Sequence, residues 1–219
     1  MGESYSKKAH DELVNAIFTG KLRFGQTLNQ NKLAGTLNMS RTPIREALFA
    51  LEQEGLLSRD GRSYTISYIS KEEVVELYEA RILLESQGAY FCAQRMNRES
   101  KKRLKAHMEY ITKVKEEKSA NLVERTELNG ELHKMISFYG GNRYIYKFMQ
   151  EVILKLTLVR IALFTIEGGE EEEFQEHRRI VDAVISMNPE LSKQLMHEHL
   201  TNVLNYVKDK VIPKLYWES

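Results

Sequence analysis

The sequence predicts a mainly α-helical chain in two parts. Residues 1–69 form a small helical unit closed by a β-hairpin, and residues 70–219 form an all-helical bundle. Three observations predict this. Residues 30–54 read as two short helices joined by the tight turn Asn38-Met39-Ser40. "LLSRDGRSYTIS" then reads as strand, Asp-Gly turn and strand, because Asp-Gly is a strong hairpin signal. After Ser70 no strand pattern or Gly/Pro-rich linker follows. Turn signals near Asn97, Ser119, Gly140–Gly141, Gly168–Gly169 and Asn188–Pro189 divide the remainder into about six helices.

Residues 6–19 are expected to form an amphipathic helix with Leu13, Val14, Ile17 and Phe18 on one face. "TGKLRFGQTL" reads as a turn-rich connection, and 30–37 as a short helix. Ser40 suits the N-cap of a helix over 41–54, with Pro43 tolerated in its first turn and Gly55 ending it. Ser70-Lys71-Glu72-Glu73 has the form of a capping box, opens a long helix and marks the domain boundary. The acidic run Glu170–Glu173 is expected to start a helix, where negative charge suits the N-terminal dipole.

Composition bounds the class. A chain of 219 residues holds one large domain or two small ones. The single cysteine, Cys92, rules out an internal disulfide and fits a reducing cytosol, so the expected location is the cytoplasm. The polar start "MGESYSKKAHDEL" lacks a signal-peptide pattern. The most apolar run, "VILKLTLVRIALFTI", is broken by Lys155 and Arg160 and is too short to span a bilayer, so no membrane partner is expected. Through Ser70 there are 9 Lys/Arg against 7 Asp/Glu, and beyond it 23 against 24. Any basic face is therefore local rather than global.

Helix, short helix, turn, helix, hairpin is the layout of a winged helix-turn-helix, whose second helix enters the DNA major groove. Arg41 and Arg45, four apart, share one face of that helix. Arginine suits bidentate contact with guanine or clamping of phosphate. Ser40 and Thr42 can donate to phosphates at the helix start. Arg59 and Arg62 flank the hairpin tip. Spacing alone leaves the alternative that Arg41 and Arg45 are solvated charges. "LAGTLNMSRTPIREALFALEQEGLL" followed by "RDGRSYTIS" resembles the DNA-binding domain of GntR-type regulators over nearly all of residues 10–68. That resemblance implies DNA contacts by Arg41, Thr42 and Arg45, wing contacts by Arg59, Gly61 and Arg62, and a phosphate or base contact by Asn31.

In the second part, His133, His177 and His199 occupy helix positions among apolar residues. Asn129 lies one turn before His133 on the same face. Each histidine alone reads first as a core residue with one hydrogen bond. Three on three helices of one bundle point to a shared site, and imidazole favours zinc, nickel or similar divalent ions. His10 and His107 lack such context and read as surface residues. Arg81 falls in the apolar stripe Val74, Leu77, Tyr78, Leu84, Gly88. It needs a partner, either Glu85 one turn on or a ligand carboxylate.

"YEARILLESQGAY", "NGELHKMI", "EHRRIVDAV" and "MHEHL" resemble the helical ligand-sensing (FCD) domain of FadR-type GntR regulators, over about residues 71–210. The resemblance implies a divalent metal at Asn129, His133, His177 and His199, with Asn129 where Asp is more usual. It also places Arg81 at an effector cavity. About six helices suggests the shorter, VanR-like variant. The function expected is a homodimeric, ligand-responsive regulator, a repressor, binding palindromic double-stranded DNA and controlled by a small carboxylic acid. Metal sensing without an organic effector is the alternative. A metal-dependent enzyme is disfavoured, because Glu131 and Glu176 read as pointing off the histidine faces.

Overall fold

The computed structural model describes residues 5–18, 21–22, 25–120, 122–157, 159–160 and 170–215. The chain forms two compact units, Met1–Ser70 and Lys71–Ser219.

In the first unit, α1 (Tyr5–Phe18) buries Ala9, Leu13, Val14 and Ile17. This stripe packs on α3 (Arg41–Gln53), which buries Ile44, Ala47, Leu48 and Leu51. Each fully buried Leu or Ile contributes about 1.5–3 kcal/mol. The Phe18 side chain, expected on the same stripe, lies outside the described residues. Between them, α2 (Gln30–Thr36) is capped by Asn29, whose side-chain oxygen accepts from the N–H groups of Asn31 and Lys32 at 3.0 and 3.1 Å.

α2 and α3 end alike. Met39 N–H reaches Ala34 O at 3.0 Å, and Leu56 N–H reaches Leu51 O at 2.9 Å. Asn38 and Gly55 take φ of 51° and 76°, the left-handed cap that Gly and Asn favour. Ser40 holds the extended N-cap conformation of α3, yet its side chain makes no cap hydrogen bond. Pro43 stands three residues on and has no N–H to offer, which removes one of the two donors such a cap uses.

The hairpin corrects the Asp-Gly turn by one residue. β2 (Leu57–Asp60) and β3 (Ser63–Ile66) pair with Asp60 opposite Ser63, so the turn is Gly61-Arg62. This register sets buried Leu57 directly across from buried Ile66, and core burial decides register. "TGKLRFGQTL", expected as connection only, contains β1 (Thr27–Leu28), which pairs with β3 to give the antiparallel order β1-β3-β2. Two residues carry no readable periodicity; the free edge of β3 recruits them.

In the second unit, α4 (Lys71–Gln94) packs against α6 (Leu122–Tyr139), α7 (Arg143–Lys155), α8 (Glu170–Ile185) and α9 (Pro189–Tyr206). Being surrounded, it buries Arg81, Glu85 and Ser86 as well as Val74, Tyr78 and Ile82. α4 and the turn that ends α6 approach closely at Gly88 and Gly140, where a Cβ on Gly140 would sit 2.8 Å from Gly88 O. α5 (Arg98–Glu117) opens with a reciprocal capping box between Asn97 and Ser100.

α8 starts at the acidic run as expected, and Asn188 caps α9 with Pro189 in its first turn. Gly168–Gly169, expected as the turn before α8, lie outside the described residues, as does the Leu122 side chain. Beyond α9 the chain widens into a π-helical turn, Val207–Val211, before α10 (Ile212–Leu215). Pro213 has no N–H for the usual bond to residue 209, and Ile212 N–H instead reaches Val207 O, five residues back. The mainly helical fold with its small wing sheet is the one the sequence predicts.

Candidate functional site

The first unit presents one basic surface. Ser40, Arg41, Thr42 and Arg45 are exposed on the leading turns of α3, opposite its buried stripe. Asn31 is exposed on α2, and Arg59, Gly61 and Arg62 at the wing. Arg45, Arg59 and Arg62 line a cleft of about 520 Å³ between helix and wing, with Gln30, Glu46, Phe49 and Tyr64. Arg59 is steered by two contacts: its Nε donates to Gly61 O at 2.9 Å, and its guanidinium lies 5.4 Å from the Tyr64 ring centre. Phe49 was missed from sequence, although it lies four residues after Arg45 on the same face and is exposed.

His10 is not the free surface residue expected. Its Nε2 lies 2.8 Å from Glu54 Oε2, at the C-terminal end of α3. The hydrogen bond to Glu54 raises its pKa, against the lowering effect of burial. His107 is likewise half-buried, with Nε2 2.9 Å from Leu128 O. Helix periodicity shows neither partner, since each comes from another helix.

The second unit brings His133, His177 and His199 together from α6, α8 and α9. All are buried, at 3%, 1% and 2% exposure. One ring nitrogen from each lies within 4.8 Å of the others. His133 Nε2 and His177 Nε2 are 3.1 Å apart. Carboxylates orient two of the rings from behind. His133 Nδ1–H donates to Glu85, and His199 Nδ1–H donates to Glu176 at 2.7 Å. With Nδ1 protonated toward a carboxylate, each Nε2 keeps its lone pair, as metal-ligating histidines require. Burial pushes the His133 imidazole down to about 4, despite Glu85, and pushes His177 well below its usual value. Neutral imidazoles with inward lone pairs are the donor set a divalent ion takes.

Arg81 is buried and its Nε donates to Glu85 Oε1 at 2.5 Å, the internal pair that the sequence left as one of two readings. Glu85 therefore links Arg81 to His133. Burial would raise its carboxyl, but Arg81 and His133 hold it well below the usual range. Arg160, which in the sequence only interrupts an apolar run, donates to Thr126 O at 3.0 Å. Burial, with Arg81 nearby, lowers it to about 10. Asn129, one turn before His133, donates from Nδ2 to Glu173 Oε1 at 3.4 Å.

Glu176 overturns one expectation. It does not point away from the histidines but accepts from His199 Nδ1, with Asn202 Nδ2 on its other oxygen at 2.7 Å. Being next to His177 in α8, it faces about 100° away on its own helix; α9 brings His199 to that side.

An exposed arginine helix beside a basic wing, carried with a separate helical domain, defines the class of winged-helix DNA-binding regulators. Residues 5–66 match the bacterial regulatory proteins of the gntR family, and residues 76–202 match the FCD domain. The uncharacterized HTH-type transcriptional regulator YdhC of Bacillus subtilis is 31% identical over 216 residues, covering 94% of this chain and 95% of its own. The gluconate operon transcriptional repressor of Bacillus licheniformis is 24% identical over 208 residues, covering 90% of this chain and 83% of its own. Among solved structures, E. coli McbR/YncC shares the fold with a TM-score of 0.66 at 18% identity, across 96% of this chain and 100% of its own. The chain belongs to the GntR family, with an FCD domain: it is a DNA-binding transcription regulator, not an enzyme. Among the described residues no helix is long and apolar enough to cross a membrane.

Proposed function

We propose that the protein is a homodimeric repressor, released from a palindromic operator by a small carboxylic acid bound beside a divalent metal in the helical unit. The observation that carries this reading is the orientation of the histidines. Glu85 and Glu176 accept hydrogen bonds from the Nδ1–H groups of His133 and His199, leaving Nε2 lone pairs inside a buried cluster.

His133, His177 and His199 hold the ion, with zinc or nickel best suited to three imidazoles. Asn129, one turn before His133, is the neutral fourth candidate. The ion supplies a Lewis-acidic position for a carboxylate oxygen. The guanidinium edge of Arg81 not held by Glu85 is assigned to the same carboxylate.

On the DNA side, Arg41 and Arg45 read base edges, Ser40, Thr42 and Asn31 position the backbone, and Arg59, Gly61 and Arg62 form the wing contact. The unused Ser40 hydroxyl supports a phosphate role. Two winged units on two half-sites make a dimer the operative species. The repressor named among the relatives supports the sign of control. Operator DNA places the activity in the cytoplasm.

Mass spectrometry for metals tests the centre. The wild-type protein is expected to carry about one ion per chain, and the double variant His133→Ala, His177→Ala to lose it. Retention of stoichiometric metal by the variant would place the site elsewhere. Operator binding titrated with metal alone, then with metal and organic acids, separates effector control from direct metal sensing.

A further inference from the structure

The helical unit has a cavity whose lining includes Asn129 and Glu173, each one helical turn from a cluster histidine. Its volume is about 460 Å³, within the range of small-molecule sites. Ile111, Val114, Leu128 and Phe174 form an apolar wall. Asn129 and Glu173 mark the inner end, since each lies one helical turn before a cluster histidine, His133 or His177. Exposed Lys115 and Lys118 mark the mouth, with Arg125 also in the lining.

The mouth is built from a strained position. Lys118 ends α5 with φ 49°, in the left-handed cap conformation where glycine is the default. Lys115 Nζ lies 4.6 Å from the Phe174 ring centre and pairs with Glu171. Lys118 pairs with no carboxylate among the described residues.

We propose that this cavity takes an organic acid with a hydrocarbon body and an anionic group at each end, a short linear dicarboxylate being the simplest member. The inference rests on the reading that the effector's first carboxylate binds beside the histidines, and it names the rest of the molecule. A sugar acid would turn several hydroxyls against the apolar wall, where each would lose its water without gaining a partner. A hydrocarbon chain gains from the same wall. The second carboxylate meets Lys118, with Lys115, at the mouth.

Calorimetric titration of the full-length, metal-loaded protein with adipate, hexanoate and gluconate tests this. Adipate is expected to bind about tenfold more tightly than either of the others, the gain of one further charge-assisted contact. In Lys118→Gly, adipate affinity falls about tenfold while the unfolding midpoint rises, because glycine relieves the left-handed backbone. A lysine with only a structural role would move the midpoint alone. Metal content on the same samples separates the two readings. A protein that holds no metal defeats the proposed function and this inference with it. With metal bound, the inference is overturned by gluconate or hexanoate matching adipate, by no adipate binding, or by unchanged adipate affinity in Lys118→Gly.

Discussion

The two units carry their candidate functional residues in opposite ways. In the first, Arg41, Thr42, Arg45, Arg59 and Arg62 stand in solvent, and an apolar scaffold behind them holds the shape. In the second, Arg81, Glu85, His133, His177 and His199 are all at 4% exposure or less. A side chain that reads DNA reaches outward, so losing it leaves the scaffold intact. A buried polar network is itself part of the core, so its chemistry and its stability are coupled.

The sharpest way to break that contrast is Glu85→Ala. It strands the Arg81 charge and the His133 Nδ1 proton in the core, and should lower stability by about 3–5 kcal/mol in chemical denaturation. A loss below about 1 kcal/mol would show that the network is not coupled to the core. Arg45→Ala should weaken operator binding by about 1–3 kcal/mol at matched salt. Its unfolding free energy should stay within about 0.5 kcal/mol of wild type. Unchanged operator affinity would remove Arg45 from the recognition surface.

Glu176→Gln probes a residue between the two extremes, since its side chain is 15% exposed. It should reduce metal affinity about tenfold in chelator competition while perturbing stability less than Glu85→Ala does. Identical affinity would mean that His199 needs no orienting carboxylate.

The smallest effect is expected at His10. Its hydrogen bond to Glu54 raises the folded-state pKa above the ordinary 6.5, against burial. The stabilisation is therefore complete below pH 6.5 and disappears as pH rises through the raised value. Denaturation of the wild type across that window should show the loss, and His10→Gln should flatten it. An equally steep profile in the variant would assign the dependence to other groups.

The exposed basic surface of the first unit was largely legible in the sequence. Residues of one helix and one hairpin carry it, and local spacing orders them. Even there, β1 escaped, because two residues have no period, and the turn shifted by one to pair Leu57 with Ile66. The lost Ser40 cap was in part readable, since Pro43 removes one of the two N–H groups that a cap uses. In the helical unit, polar residues inside apolar stripes singled out Arg81, His133, His177 and His199. Their partners were harder. Glu85 was visible as a neighbour of Arg81, but not as the acceptor for His133. Helix periodicity points Glu176 off the histidine face and puts His10 on the surface.

The sequence by itself determined which side chains share a face on each element: Arg41 with Arg45, Asn129 with His133, Arg81 with Glu85. It also determined where helices stop, through Asn, Gly and Pro at their ends. Only the tertiary structure decided which faces meet. The side chains that orient His133 and His199 come from α4 and α8, so the carboxylates that prepare the cluster lie 48 and 23 residues away along the chain. Periodicity is a property of one helix, whereas a site built between helices depends on how several pack, and that packing is set by the whole core at once.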